Sequence, residues 1–246
     1  MTTLEFSAAA TLAAAAIVVV GSGAQVVTGF GFSLVVVPVL VFLVGPEHAV
    51  RLANLLAAVV NTSILVREHR AALYGTALRL LVPGALVTPL GAYVVHRTRA
   101  PVLSVVVGGV IIVCAIALAT GARSTRLRGN GWLVVVGGVS ALMNTASGVG
   151  GPTVAMYAVN DGWPIEMTRP TMQIFFLGLN VVALASLGPV VVRPGTGLAL
   201  AIAVAGGLVA GRVVARRMPT AAIERSILVL AIAGGTAAVL RGIAGQ

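Results

Sequence analysis

From Phe6 to Pro46 the chain runs for 41 residues without a charged side chain, and from Gly129 to Asn160 for another 32. Runs of that length decide the solvent. Soluble domains carry about 25% charged residues, whereas this 246-residue chain is 9% charged and 59% hydrophobic, with a mean hydropathy of +1.07. A globule so poor in charge could not cover its own surface. In lipid a crossing needs about 20 apolar residues, and the sequence predicts an all-α polytopic membrane protein.

The remaining uncharged runs each fit one crossing. They hold 23 residues between Arg99 and Arg123 and between Arg169 and Arg193, 18 between Arg193 and Arg212, and 15 or 16 after Arg51, Arg79 and Arg225. The shorter ones work as spans if the flanking arginines snorkel to the headgroups. The two long runs do not fit. At 1.5 Å per residue, 32 residues make a helix of about 48 Å against a hydrocarbon core of about 30 Å. Glycine interrupts both midway, at Thr28-Gly-Phe-Gly-Phe-Ser33 and Ser147-Gly-Val-Gly-Gly-Pro-Thr153. Each is therefore expected to be a pair of shorter helices meeting at a break inside the membrane. Irregular backbone is tolerated there only within protein or beside a water-filled cavity.

An offset of 119 residues superposes the two halves. It pairs Gly29 with Gly148, Gly31 with Gly150, Glu47 with Glu166, Asn61 with Asn180, Gln25 with Asn144 and Thr28 with Ser147. Identity at this offset is low, but the matches fall on glycines and on rare polar residues. Each half then reads as a broken hairpin followed by three helices: 48–66, 72–95 and 101–120, then 167–188, 196–213 and 222–240. The expected organisation is a first membrane repeat over 1–122, a loop over 123–130 and a second repeat over 131–246.

All 16 basic residues are arginine, against six carboxylates. They are scattered between apolar runs rather than gathered on one face, which argues against nucleic acid and for retention at cytoplasmic helix ends. Anionic lipid or an anionic solute is the secondary reading. If each long run crossed once, the arginines would divide 8 and 8. If each folds back, Arg51, Arg97, Arg99, Arg193 and Arg241 share one side and the other 11 share the opposite one. The positive-inside rule favours the second arrangement, with both termini outside. Five segments per half then make the halves inverted repeats, a recurrent transporter plan. The N-terminal Met1–Glu5 lacks the basic region of a signal peptide, so the following apolar stretch is expected to be retained. Cys114, the only cysteine, forms no intrachain disulfide.

A half-helix starting in mid-membrane presents unpaired N–H groups and a partial positive charge to an anion. The expected site comprises Gly29, Gly31 and Ser33 from the first break and Gly148, Gly150, Gly151, Pro152 and Thr153 from the second. Gln25, Thr28, Asn144 and Ser147 stand just before the breaks. Asn54 and Gln173 are weaker additions. Asn54 and Asn61 are seven residues apart, as are Gln173 and Asn180, so each pair shares a helix face; a pathway and interhelical hydrogen bonding both suit such a face. Arg51 and Arg169 are candidates for attracting or gating an anion at opposite mouths, although interfacial anchoring explains either one. Nearby Glu47-His48 and Asp161/Glu166 suit pairing, proton coupling or plain solvation. Phe175 and Phe176 read as core, and Ala203-x3-Gly207-x3-Gly211 as close helix packing. Trp132 and Trp163 read as interfacial residues.

No catalytic motif of hydrolases, zinc proteases or nucleotide-binding enzymes is present. The three histidines and single cysteine are not arranged as metal ligands. The reading is of a non-enzyme without cofactor.

The segments Thr28-Gly-Phe-Gly-Phe-Ser-Leu-Val-Val-Val-Pro38 and Ser147-Gly-Val-Gly-Gly-Pro-Thr-Val-Ala-Met-Tyr157 resemble the paired signatures of the TauE/SafE family of sulfite and organosulfur anion exporters, also called the 4-toluene sulfonate uptake permease family. The resemblance covers most of the chain. It implies a multi-pass protein of the bacterial inner membrane that moves small sulfur-containing anions such as sulfite, sulfonates or sulfoacetate, with a translocation site on the two motifs. Where many members carry a longer glycine run, this sequence has Phe30 and Phe32, whose bulk narrows the site. The expected function is secondary transport by alternating access, in the export direction. A passive anion channel and a carrier of small carboxylates are the alternatives. Partners are the small anion and the lipid bilayer, with a coupling proton or ion and a homo-oligomer left open.

Overall fold

The computed structural model describes residues 3–4, 6–121 and 129–245. The first long run folds as α1 (Ala8–Thr28) and α2 (Phe32–Val44), followed by α3 (Pro46–Glu68), α4 (Tyr74–Arg97) and α5 (Ala100–Ala119). The second folds as α6 (Asn130–Ser147) and α7 (Gly151–Asp161), followed by α8 (Ile165–Leu187), α9 (Pro194–Arg217) and α10 (Thr220–Ile243). The six helices expected after the breaks are all present, each within a turn or so of the expected ends. Among the described residues, seven helices are long and apolar enough to cross a membrane: α1, α3, α4, α5, α8, α9 and α10. Arg123, Arg126 and Arg128, with most of the loop expected over 123–130, lie outside the described residues, as does Glu5.

Both long runs break where glycine allows it. Gly29 and Gly148 adopt left-handed backbone, with φ of 84° and 71°, and their N–H groups bond to Gln25 O and Asn144 O at 2.8 and 2.7 Å. This is the helix-ending conformation that glycine adopts at least cost. Beyond each break the chain turns back. In the second hairpin, Gly129 before α6 donates to Asp161 Oδ1 at the end of α7 (2.9 Å), while Tyr157 Oη donates to Gly129 O at 3.0 Å. The open ends of that hairpin are thereby joined. In the first, Gly21 of α1 lies against Val36 and Phe32 of α2. The far end of α2 is held by Arg241, whose Nη1 donates to Val41 O at 2.8 Å.

The arms of each hairpin are unequal, unlike the pair of short helices expected. α2 and α7, with 13 and 11 residues, are about 20 and 17 Å long, near half a bilayer. α1, with 21 residues, is about 31 Å and matches a full crossing. A run of uncharged residues measures only the sum of the two arms, so the sequence could not apportion them.

Packing joins the halves rather than separating them. α1 lies along α9 and α6 along α4, while α5 pairs with α10 and α3 with α8. Small residues make these approaches possible. A Cβ on Gly211 would sit 2.7 Å from Gly23 Cα, one on Gly137 would sit 2.2 Å from Leu80 O, and one on Gly108 would sit 2.4 Å from Gly235 O. The expected role of the Gly207/Gly211 stripe is thus seen in the α1–α9 contact. Phe175 is fully buried and Phe176 nearly so. A two-residue parallel pair, β1 (Thr3–Leu4) with β2 (Val191–Val192), ties the N-terminal segment to the α8–α9 connection; no sequence signal announced it.

Candidate functional site

The two breaks meet. Phe30, between Gly29 and Gly31, packs on Gly151 at the start of α7 so closely that a Cβ on Gly151 would lie 2.6 Å from Phe30 Cβ. Between the breaks is a cavity of about 20 Å³, room for about one water molecule. Its wall includes Ser33 and Phe32 at the start of α2, Gly148, Gly150 and Gly151 around the second break, and the carboxamides of Gln25, Asn61, Asn144 and Asn180. Phe30, Val149, Ala57 and Phe176 supply its apolar part. No charged side chain among the described residues lines it.

Two carboxamide clusters flank the breaks. Gln25 Nε2 reaches Gly29 O and Asn61 Oδ1 at 3.0 Å and Gln173 Oε1 at 3.3 Å. Its Oε1 accepts from Phe32 N at 3.0 Å. Gln173 Nε2 adds a second bond to Gly29 O, at 3.0 Å. At the other break, Asn144 Nδ2 donates to Asn54 Oδ1 at 2.8 Å and to Asn180 Oδ1 at 3.3 Å. All six side chains are at most 4% exposed. The seven-residue spacing on α3 and α8 therefore serves interhelical bonding and, through Asn61 and Asn180, the cavity wall as well. Asn54 and Gln173 stand behind the wall and orient residues that form it.

The breaks differ in their free amides. At α2 the first amide, Phe32 N, is already taken by Gln25. At the second break Asn144 donates through Nδ2 to Asn54 and Asn180, and among the described residues no matching bond from Gly151 N to its Oδ1 is formed. Pro152 has no N–H to offer. It occupies the first turn of α7, where that lack costs nothing.

Several expected site residues maintain the breaks instead of facing the cavity. Thr28 Oγ1 donates to Ala24 O and accepts from Phe30 N, and Ser147 Oγ donates to Met143 O and accepts from Val149 N. Thr153 Oγ1 lies 3.2 Å from Met143 Sδ. Gly31 backs onto Thr28 and Ala24, and Gly29 onto the stem of Arg169. Gly150 is enclosed too: a Cβ there would be 2.6 Å from Ser140 O, so a bulky residue at this position disturbs the fold before it disturbs any solute.

Arg51 and Arg169 stand at opposite ends of α3, and neither lines the cavity. Arg51 pairs with Glu47 and its Nη2 lies 3.2 Å from His96 Nε2. Arg169 Nε donates to Glu68 at 2.8 Å and its Nη1 to Val26 O at 2.8 Å, placing a cation at the C-terminal end of α1, where a helix favours it. Its carboxylate partner is 101 positions earlier, not the neighbouring Asp161 or Glu166. Asp161 instead accepts from Gly129 N and Trp163 Nε1.

A second, larger cavity of about 230 Å³ approaches the first break from the end of the bundle where α5 finishes and α10 begins. Leu34, Leu118, Met156 and Ile227 give it an apolar wall, with Glu224 and Gly121 at the exposed end and Thr28 and Phe30 at the inner end. Phe30 and Phe32, expected to narrow the site, both line the small cavity, whereas nothing in the sequence marked Val149 and Ala57 as lining residues, and Phe176, expected as core, lines it as well. An apolar side chain in an apolar helix carries no local mark of facing a cavity.

No curated protein and no solved structure is significantly similar to the chain. The family model for the sulfite exporter TauE/SafE matches residues 13–238, which include both breaks and every residue of the cavity wall. The chain belongs to the sulfite exporter TauE/SafE family.

Proposed function

We propose that the protein is a secondary transporter that exports a small sulfur-containing anion (sulfite, a sulfonate or sulfoacetate) across the cell inner membrane by alternating access. The substrate-binding residues in this reading are Gln25, Ser33, Asn61, Asn144, Asn180 and the amides of Gly150 and Gly151. The observation that carries it is the uncharged cavity held between two touching helix breaks and ringed by carboxamides. Such a site stabilises an oxyanion with N–H dipoles and helix ends. It avoids the desolvation of a buried arginine. A cavity this small admits a solute only after the hairpins separate, which suits a carrier whose site opens to one side at a time.

The reading includes a two-fold inverted duplication over 1–122 and 131–246. The reciprocal packing of α1 on α9 and α6 on α4 supports it. So do the carboxamide clusters, since Gln25, Asn61 and Gln173 become Asn144, Asn180 and Asn54 when each residue is exchanged with its counterpart 119 positions away. Arg51 and Arg169 anchor the ends of α3 and α8 here and attract anions only at long range.

Flux of radiolabelled sulfite or a sulfonate into proteoliposomes tests the function. The expected result is saturable uptake with counterflow. Saturable flux without counterflow indicates a channel, and no flux of any oxyanion overturns the reading. Asn61→Leu and Asn180→Leu are each expected to lower flux at least tenfold while the protein still inserts.

A further inference from the structure

We propose that the Phe30 side chain is the gate between the large cavity and the small one, the last barrier on the route from that end of the bundle. This rests on reading the small cavity as the solute site. Among the described residues, Phe30 is the one that lines both cavities. On one side of it lies a chamber of about 230 Å³ reaching the exposed Glu224, and on the other the cavity of about 20 Å³ with the carboxamides.

The local backbone suits a moving part. Phe30 belongs to neither helix. It stands between Gly29, whose φ is 84°, and Gly31, so both neighbours have glycine's conformational freedom. Its own amide is held by a single long bond, 3.4 Å to Thr28 Oγ1. The closed position depends on Gly151, where the missing side chain leaves the space that Phe30 Cβ occupies. Both sides of the contact belong to the breaks, so separating the hairpins that would bare the helix starts also lifts Phe30 from Gly151. Val149, 119 positions further on, is the smaller counterpart of Phe30 in the second break and lines the small cavity.

The test uses the full chain in liposomes, with Cys114→Ala and Ser33→Cys placing one thiol in the small cavity. A charged, membrane-impermeant methanethiosulfonate is added at the end carrying Arg216 and Arg217. With Phe30 in place the thiol reacts slowly. Phe30→Ala is expected to accelerate it about tenfold or more, as loss of one 1.4 kcal/mol increment of barrier would. An unchanged rate overturns the gate. So does equal acceleration at the buried native Cys114 in the otherwise unaltered Phe30→Ala chain, since that signals general loosening. If the Ser33→Cys thiol alone accelerates but no oxyanion is transported by the native protein, the gate stands and the transport reading falls. Flux without any accessibility change gives the converse.

Discussion

Gln25 does the most at the residue scale. One carboxamide accepts from the first amide of α2, donates to the carbonyl of the glycine that ends α1, and reaches α3 and α8 through Asn61 and Gln173. A buried polar group left without a partner costs about 1–3 kcal/mol. Gln25→Leu strands Phe32 N and leaves the Asn61 acceptor without this donor. A lowered thermal midpoint in detergent, together with loss of flux, is the expected outcome. Thr28→Val serves as the comparison: it removes a hydroxyl whose bonds are local. It should keep flux within a fewfold of the native rate, and a loss as deep as that of Gln25→Leu would return Thr28 to the solute site. Arg169 and Glu68 are both partly exposed, so their coupling in a double-mutant cycle should be modest, about 1 kcal/mol.

Between elements, adjacent glycines separate packing from tolerance. Gly207 faces α1, where a Cβ would lie 2.4 Å from Val19 O, whereas Gly206 has nothing within 4 Å. Without a hydrophobic force between helices in lipid, close backbone approach is a main source of their attraction. Gly207→Val should therefore lower the thermal midpoint sharply or prevent accumulation, while Gly206→Val should be near neutral. The α4–α6 contact offers the same comparison in Gly137 and Gly138, with clearances of 2.2 and 3.9 Å. Size-exclusion profiles and thermal denaturation of the four variants read this directly. Equal tolerance at 206 and 207 would mean that α1 and α9 do not pack in this register.

For the whole molecule, the folded-back hairpins bear on sidedness. Joining the open ends of α6 and α7 through Gly129, Asp161 and Tyr157 favours the arrangement in which one side carries 5 arginines and the other 11. By the positive-inside rule the termini are then expected outside. Alkaline phosphatase fused after Ile243 should be active and a fluorescent protein at the same point dark. The pattern should reverse for fusions in the α9–α10 connection near Met218. The opposite pattern would invert the molecule and with it the end from which the Phe30 gate is approached.

The sequence by itself determined the helices, the breaks and the family. A charge at the centre of a membrane helix costs about 2.5–3.5 kcal/mol, so Arg51, Arg67, Arg79, Arg193 and their like mark span ends wherever they occur. Gly29 and Gly148 mark the breaks, because left-handed backbone strains most other residues. Only the tertiary structure decided that α1 packs on α9, that Arg169 finds Glu68, that Thr28 and Ser147 bond their own breaks, and that Phe30 separates two cavities. Those choices depend on shape and on polar partners up to 200 positions apart, as Val41 and Arg241 are. In a chain whose neighbours are nearly all apolar, local periodicity cannot tell a face turned to lipid from one turned to protein or to a cavity.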